Sequence, residues 1–369
     1  MLNLYYNTRE ALYVQNDSAV NYFLADANNG SEELITDGIV SYVAYKNFGL
    51  IKVATIRSFY HNDTISSSYF IGSYPSESKS IHLAEFSSPV SYSGTVTLIG
   101  DKVLPGAMIS ERYIGNVPNI LNSKGKVSPA SDMLPPIRSD FERGLPTVSS
   151  KSVNFQAIEP NPQGIYINSF DNPTLKLTTG YTIGVKGIKG NFIITAKDSL
   201  AIDRTLIMED VIISAPVVRI KSGFSGSVQV YASSKVIVED EVELKYPSSV
   251  VVYNPSDNKA TISLGVNSTV YGALVLFGNP IKRLEQNNIR LSQKSLVVGE
   301  VYATGKVIAG GSIYGTVYAY GLSGQNSQSI YENCLIDTTI DVSLRPDYFV
   351  SIPLFNEKKV SFEPIKKVF

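Results

Sequence analysis

Acidic side chains are the first candidates for chemistry in this chain: Asp203, the pair Glu209-Asp210 and the triplet Glu239-Asp240-Glu241. Glycoside hydrolysis needs two carboxyls facing one another, about 5–9 Å apart, with one pKa raised. A calcium-dependent lyase needs several oxygens converging on one ion. Both larger clusters instead follow apolar triplets, Leu206–Met208 and Val236–Val238, where a chain turning a corner would expose polar residues. That reading explains them without catalysis; calcium held at stacked acidic corners is the alternative. The two histidines offer little: His61-Asn62-Asp63 reads as a turn, and His82 lies in a short apolar segment. The one cysteine, Cys334, excludes an intramolecular disulfide framework and a multi-cysteine zinc site, and reads as a buried thiol. No glycine motif leads into a helix to cradle a phosphate or dinucleotide. Neither catalytic residues nor a metal site nor a cofactor is expected.

Aromatic residues are the remaining candidates, with 23 Tyr and no Trp in the chain. Tyr302, Tyr314, Tyr318 and Tyr320 fall at even positions of the run Gly299 to Gly321, whose odd positions through Ala319 are all Gly, Ala, Val or Ile. Period two places the odd set on one face and the tyrosines on the other. A face of small and β-branched residues suits the narrow interior of a stacked coil. Outward tyrosines on a rigid coil can stack on sugars or anchor a protein interface. The same parity also suits rings that cover neighbouring strands or meet the proline-rich stretch that includes Pro135. These four are the candidate binding residues.

The elements that must position them form a repeating β pattern. From about Leu175 to Leu322, short β-branched runs recur every few residues, among them Phe192–Thr195, Val211–Ile213, Val228–Tyr231 and Val250–Tyr253. Polar or small spacers separate them and no helical period interrupts, as expected of strands that bend at sharp corners in a β-solenoid. Residues 1–86 read differently, as a small α+β module. A helix is expected over 8–27, started by Asn7 as N-cap with Glu10 at N3 and ended by Asn28-Asn29-Gly30. Strands follow at Val40–Tyr45, Leu50–Phe59 and Ser67–Ile71. The β-helix itself is expected over 87–324. Within it the proline-rich stretch at about 116–160, with Pro118, Pro129, Pro135, Pro136 and Pro146, reads as an exposed excursion. Residues 325–369, rich in large apolar side chains, are expected to cap the solenoid end. The fold class is therefore mainly β: a β-helix (solenoid) with a small N-terminal α+β module and a C-terminal cap.

Composition narrows the partners. The 369 residues carry 32 Lys+Arg against 33 Asp+Glu, a net charge of −1, without a basic run. That removes the electrostatic term on which nucleic-acid binding depends, so no nucleic acid is expected. No run of about 18 apolar residues offers a membrane span. Met1-Leu2-Asn3-Leu4-Tyr5-Tyr6 reads as the edge of an N-terminal membrane anchor absent from this chain, or as an ordinary apolar start.

The Gly-x-Val-x-Ala-x run of 299–321 resembles the short-repeat β-helix of bactofilins, polymer-forming bacterial scaffold proteins. Gly94-Thr95-Val96-Thr97-Leu98-Ile99-Gly100 and Leu344-Arg345-Pro346-Asp347-Tyr348-Phe349 resemble segments of uncharacterised Bacteroidota envelope proteins with a membrane anchor, an α/β region, a β-helix and an aromatic cap. A helix leading into a sheet is also similar to pilin-like subunits. These resemblances imply a periplasmic or surface location and a structural role, and supply no catalytic residues. Bactofilins lack the N-terminal module, the excursion and the cap, so free end-to-end polymerisation is not implied. Arg219-Ile220-Lys221 resembles a tripeptide of polygalacturonases, but the Gly-His-Gly and paired aspartates of that family are missing. The expected function is a non-enzymatic cell-envelope structural or assembly subunit, binding envelope proteins or itself. A glycan-binding or adhesive module is the second reading, and a polysaccharide lyase or hydrolase the third.

Overall fold

The computed structural model of the chain describes residues 2–25, 33–74, 79–85, 88–115, 117–139, 141, 146, 155–279, 283–326, 329–356 and 361–368. The protein is mainly β. Its first element is a helix, α1 (Leu2–Ala25), lying on an antiparallel sheet of β1 (Glu33–Thr36), β2 (Ile39–Phe48), β3 (Ile51–Tyr60), β4 (Asp63–Gly72) and the last strand of the chain, Glu363–Val368. Leu12, Asn16, Ala19, Val20, Phe23 and Leu24 are buried on that sheet, the helical spacing of a single stripe. The helix begins well before Asn7, which is therefore not an N-cap: no Gly or Pro over 2–6 breaks the period. The terminator expected at Asn28-Asn29-Gly30 lies outside the described residues. Among the described residues no helix is long and apolar enough to cross a membrane.

From Ile165 to Gln325 the chain winds as a parallel β-solenoid, as the period-two runs require. Its interior is a set of columns in which each residue sits over its counterpart one coil back. One column reads Ile194, Ile213, Val230, Val250, Leu274, Val301 and Val317, all fully buried. Corners are made by residues in the left-handed region, including Asp210, Glu241, Asn267 and Lys294. At another corner Gly272 (φ 142°) stacks under Gly299 (φ 133°), where a Cβ would collide with the carbonyl oxygen of the glycine below.

The column does not stop at Val317. It continues into the first half of the chain through Ile81, Lys102 and Val127. Strand Ser312–Gln325 pairs on one side with Lys79–Leu83 and, through Ile313, with Ile340 of Thr339–Asp341. Those two strands form one composite coil, drawn from both halves of the chain. The next coil is Val90–Ser93, Thr95–Ile99 and Asp101–Leu104, which meets Cys334–Ile336 and Thr339–Asp341. The last is Ile109–Glu111, Ile120–Lys124 and Val127–Pro129.

Two expectations are corrected here. The proline-rich stretch is not wholly an excursion. Residues 120–129 are a coil of the solenoid, because Pro129 sits at the end of an edge strand, where a missing N–H leaves no ladder bond unmade. The C-terminal residues are not a lid on the solenoid end. They supply inner strands at 334–341, cross one lateral face at 345–355, and finish as the fifth strand of the N-terminal sheet beside β4.

That lateral face is itself a core. Outward-facing Ile212, Tyr231, Val251, Val275, Phe277 and Tyr302 meet Phe48, Leu50 and Phe70 of the sheet, Leu134 and Phe141 of the returning chain, and Ile352 and Leu354. Leu50 N–H donates to the Tyr231 hydroxyl (2.6 Å) and to Gln229 Oε1 (2.9 Å), stitching the sheet to the solenoid.

Candidate functional site

The four candidate tyrosines do project outward, but the chain covers the centre of the group. Tyr302 is 4% exposed, and its hydroxyl donates to the Pro135 carbonyl at 3.1 Å. Burial pushes its phenol pKa upward. Its ring lies 6.1 Å from that of Tyr318 and 5.9 Å from Phe355, and Tyr318 meets Phe355 edge-on at 4.9 Å. Tyr320 is half-buried against the same cluster. Tyr314 stands apart, half-buried beside the C-terminal crossing, where its carbonyl accepts from Arg345 Nε at 3.4 Å. The structure thus brings three of the four together, under Pro135 and Phe355.

The carboxylates sit at corners and are engaged there. Asp203 accepts from the amide and hydroxyl of Thr205, which hold its pKa low. Glu239 accepts from Arg219 at 2.9 Å and Lys221 at 3.2 Å, so both cations of the Arg-Ile-Lys tripeptide serve one coil-to-coil ion pair. Asp240 Oδ1 accepts the Val266 amide. Lys366, on the last strand, reaches Glu209 at 2.7 Å and Asp210 at 2.8 Å, and Lys189 reaches Glu209 at 3.0 Å. Burial drives the Asp210 pKa up against the pull of Lys366. At Glu209 burial also pushes upward, but the two ammonium groups outweigh it and the pKa is lowered. His82 is buried with its ring 5.7 Å from Tyr318, and Cys334 is buried in its strand. No cluster of three or more metal-ligating side chains occurs among the described residues.

Three features carry no local signal in the sequence. Glu300 and Arg345 form a nearly buried ion pair at 3.1 Å, and Ser351 donates to Glu300 at 2.7 Å. This is where Leu344–Phe349 docks on the solenoid, with the Arg345 guanidinium also 5.9 Å from the Phe349 ring.

The second feature is the terminal coil, 109–133. Ile109–Glu111, Ile120–Lys124 and Val127–Pro129 each pair with a strand on one side only among the described residues. Met108, Tyr113, Ile120, Val127 and Met133 are between 45% and 77% exposed. Beneath Val127, Lys102 is fully buried in the interior column and donates to the carbonyls of Gly100 (2.8 Å) and Lys124 (2.7 Å). Desolvation lowers its pKa. At the opposite end Ile165–Asn168 and Leu175–Thr179 also pair on one side only among the described residues, and Phe155 and Ile158 pack against the core there, Phe155 edge-on to Tyr166.

The third is a cleft of about 480 Å³ on the face of the N-terminal sheet away from α1, walled by the turn 170–173. Tyr42 and Arg57 lie opposite one another on its floor, in a cross-strand row that continues to Ser66, with Phe59 beside them. Asp171 accepts from Ser66 at 2.8 Å and Ser68 at 3.2 Å, and Lys46 donates to the Phe170 carbonyl at 3.1 Å. Arg57 is exposed and has no hydrogen-bond or ion-pair partner among the described residues.

No protein-family model matches the chain, and no curated protein does. Among solved structures it is similar to the competence-associated pilin ComZ from Thermus thermophilus, at 9% identity, over 99% of this chain and 94% of that one, with a TM-score of 0.24. At that score nothing is transferred to this chain.

Proposed function

We propose that the protein is a non-enzymatic assembly subunit of the bacterial cell envelope, and that the terminal coil of its solenoid is the surface that receives its protein partner. The observation that carries this reading is the asymmetry of the two ends. Both ends carry strands paired on one side only among the described residues, but at one of them Phe155 and Ile158 pack against the solenoid core, while the other exposes Met108, Tyr113, Ile120, Val127 and Met133 along three such strands. An unpaired edge is a template for another chain's strand, and proteins that do not use such an edge usually cover it. The engagement of Asp203, Glu209, Asp210, Glu239 and Asp240 with cations or backbone amides favours a structural role over catalysis. The envelope location rests on the resemblance of Gly94–Gly100 and Leu344–Phe349 to envelope proteins.

The test is a photo-reactive amino acid placed at Ile120 or Val127 in the protein within its own cells, with Tyr181, at the opposite end, as control. A discrete protein adduct from the terminal coil and none from Tyr181 is the expected result. Equal labelling from both ends, or no protein adduct, overturns the reading.

A further inference from the structure

We infer that the cleft between the N-terminal sheet and the 170–173 turn is a binding site for an acidic saccharide, with Arg57 as the residue that takes its carboxylate. The cleft lies on a sheet face, so it offers no row of backbone groups for pairing an extended peptide; its donors and acceptors are side chains. Its volume falls in the range of about 300–1,000 Å³ usual for small-ligand sites. Arg57 is the cation of the floor with no partner among the described residues, and its donors lie in the planar fork that matches a carboxylate bidentately. Tyr42, 44% exposed, and Phe59, whose ring centroid lies 5.9 Å away, present an apolar surface beside it on which the CH face of a pyranose can rest. Asp171 and Lys46, each held in place by a contact to the opposite wall, supply an acceptor and a donor for ring hydroxyls.

The charges within the cleft are Lys46, Arg57 and Asp171, with Glu33 at the rim through its hydrogen bond from the Tyr42 hydroxyl at 3.1 Å. Asp171 and Glu33 oppose a ligand carrying several carboxylates side by side. One carboxylate per ring, with hydroxyls toward Asp171, suits this arrangement. The site is independent of the terminal coil and of the four tyrosines.

The experiment is titration of the whole protein with digalacturonic acid, followed calorimetrically and by chemical-shift changes. Its neutral counterpart digalactose and a Glu-rich hexapeptide are the comparison ligands. Saturable binding of the acid alone is expected. Arg57→Ala should weaken it by about tenfold or more, a factor of ten being about 1.4 kcal/mol. Arg57→Lys should restore part of the loss. Because Arg57 is exposed and has no partner among the described residues, the melting temperature of both variants should match the wild type, which separates lost binding from lost fold. No saturation with the acid, equal binding of the neutral disaccharide, binding unchanged in Arg57→Ala, or preference for the peptide each overturns the assignment.

Discussion

Glu300 and Arg345 are 8% and 10% exposed in their side chains, and each is the other's answer to the loss of water. A buried pair of this kind contributes little net stability against well-packed apolar residues, but removing one partner strands a charge. Glu300→Ala is therefore expected to destabilise the protein by about 3–5 kcal/mol in denaturant unfolding. The double variant Glu300→Met with Arg345→Met should recover most of that loss. If the single and double variants lose equally, the pair is not what holds the C-terminal crossing. Tyr302 shows how far single residues were legible in the sequence. Its outward parity follows from the alternation of 299–321. Its burial stays open in the sequence as one of two readings, contact with the proline-rich stretch, and is fixed only by Pro135 and Phe355, which come from distant parts of the chain. Arg57 had no signal at all: an exposed arginine in a strand is ordinary until the 170–173 turn is placed beside it.

Among the elements, the last strand carries the most consequential attachment. Glu363–Val368 completes the N-terminal sheet, while its Lys366 reaches across to Glu209 and Asp210 on the solenoid. Lys366→Met leaves Asp210 buried without its ammonium and should cost about 1–3 kcal/mol near neutral pH. The pKa shifts set the window. The Lys366 pKa is raised above its ordinary 10.5 by the two carboxylates, which outweigh its burial, so its contribution is complete below 10.5 and lost as pH rises through the shifted value. The Glu209 pKa is lowered below 4.5, so its contribution is present above 4.5 and lost as pH falls through the shifted value. Asp210, raised above 3.8 by burial, runs the other way and softens the acid limb. The stability difference between wild type and Lys366→Met should be greatest between 4.5 and 10.5 and shrink on both sides, as thermal melts across pH would register. A difference independent of pH would mean that Lys366 acts through its aliphatic stem. Strands with clean alternation, such as Ile51–Tyr60 and Leu296–Ala309, were legible in the sequence. Ile120–Lys124 was not, because prolines, serines and asparagines surround it and only two of its five residues are apolar.

On the scale of the whole molecule, a solenoid with free ends would unfold coil by coil. Here the sheet, the returning chain at 134–141 and the crossing at 345–355 bind one lateral face along its length. Thermal unfolding should therefore be dominated by one transition, preceded by local opening of the terminal coil. Hydrogen exchange should be fastest among the strands at 109–111 and 120–129 and slowest at 297–319. Comparable protection in both regions would contradict the single-sided pairing of the terminal coil. The β-solenoid class could be inferred from 175–322, but the step from Val317 to Ile81 could not, since no periodicity reports a partner so far away in the chain. That step also sets a clock. A ribosome adds about 5–20 residues per second, so Thr95–Ile99 emerges on the order of 10–50 s before its neighbour Thr339–Asp341 exists. Through that interval the earliest coils made are templates without their other half, and the growing chain must keep foreign strands from taking the place reserved for its own end.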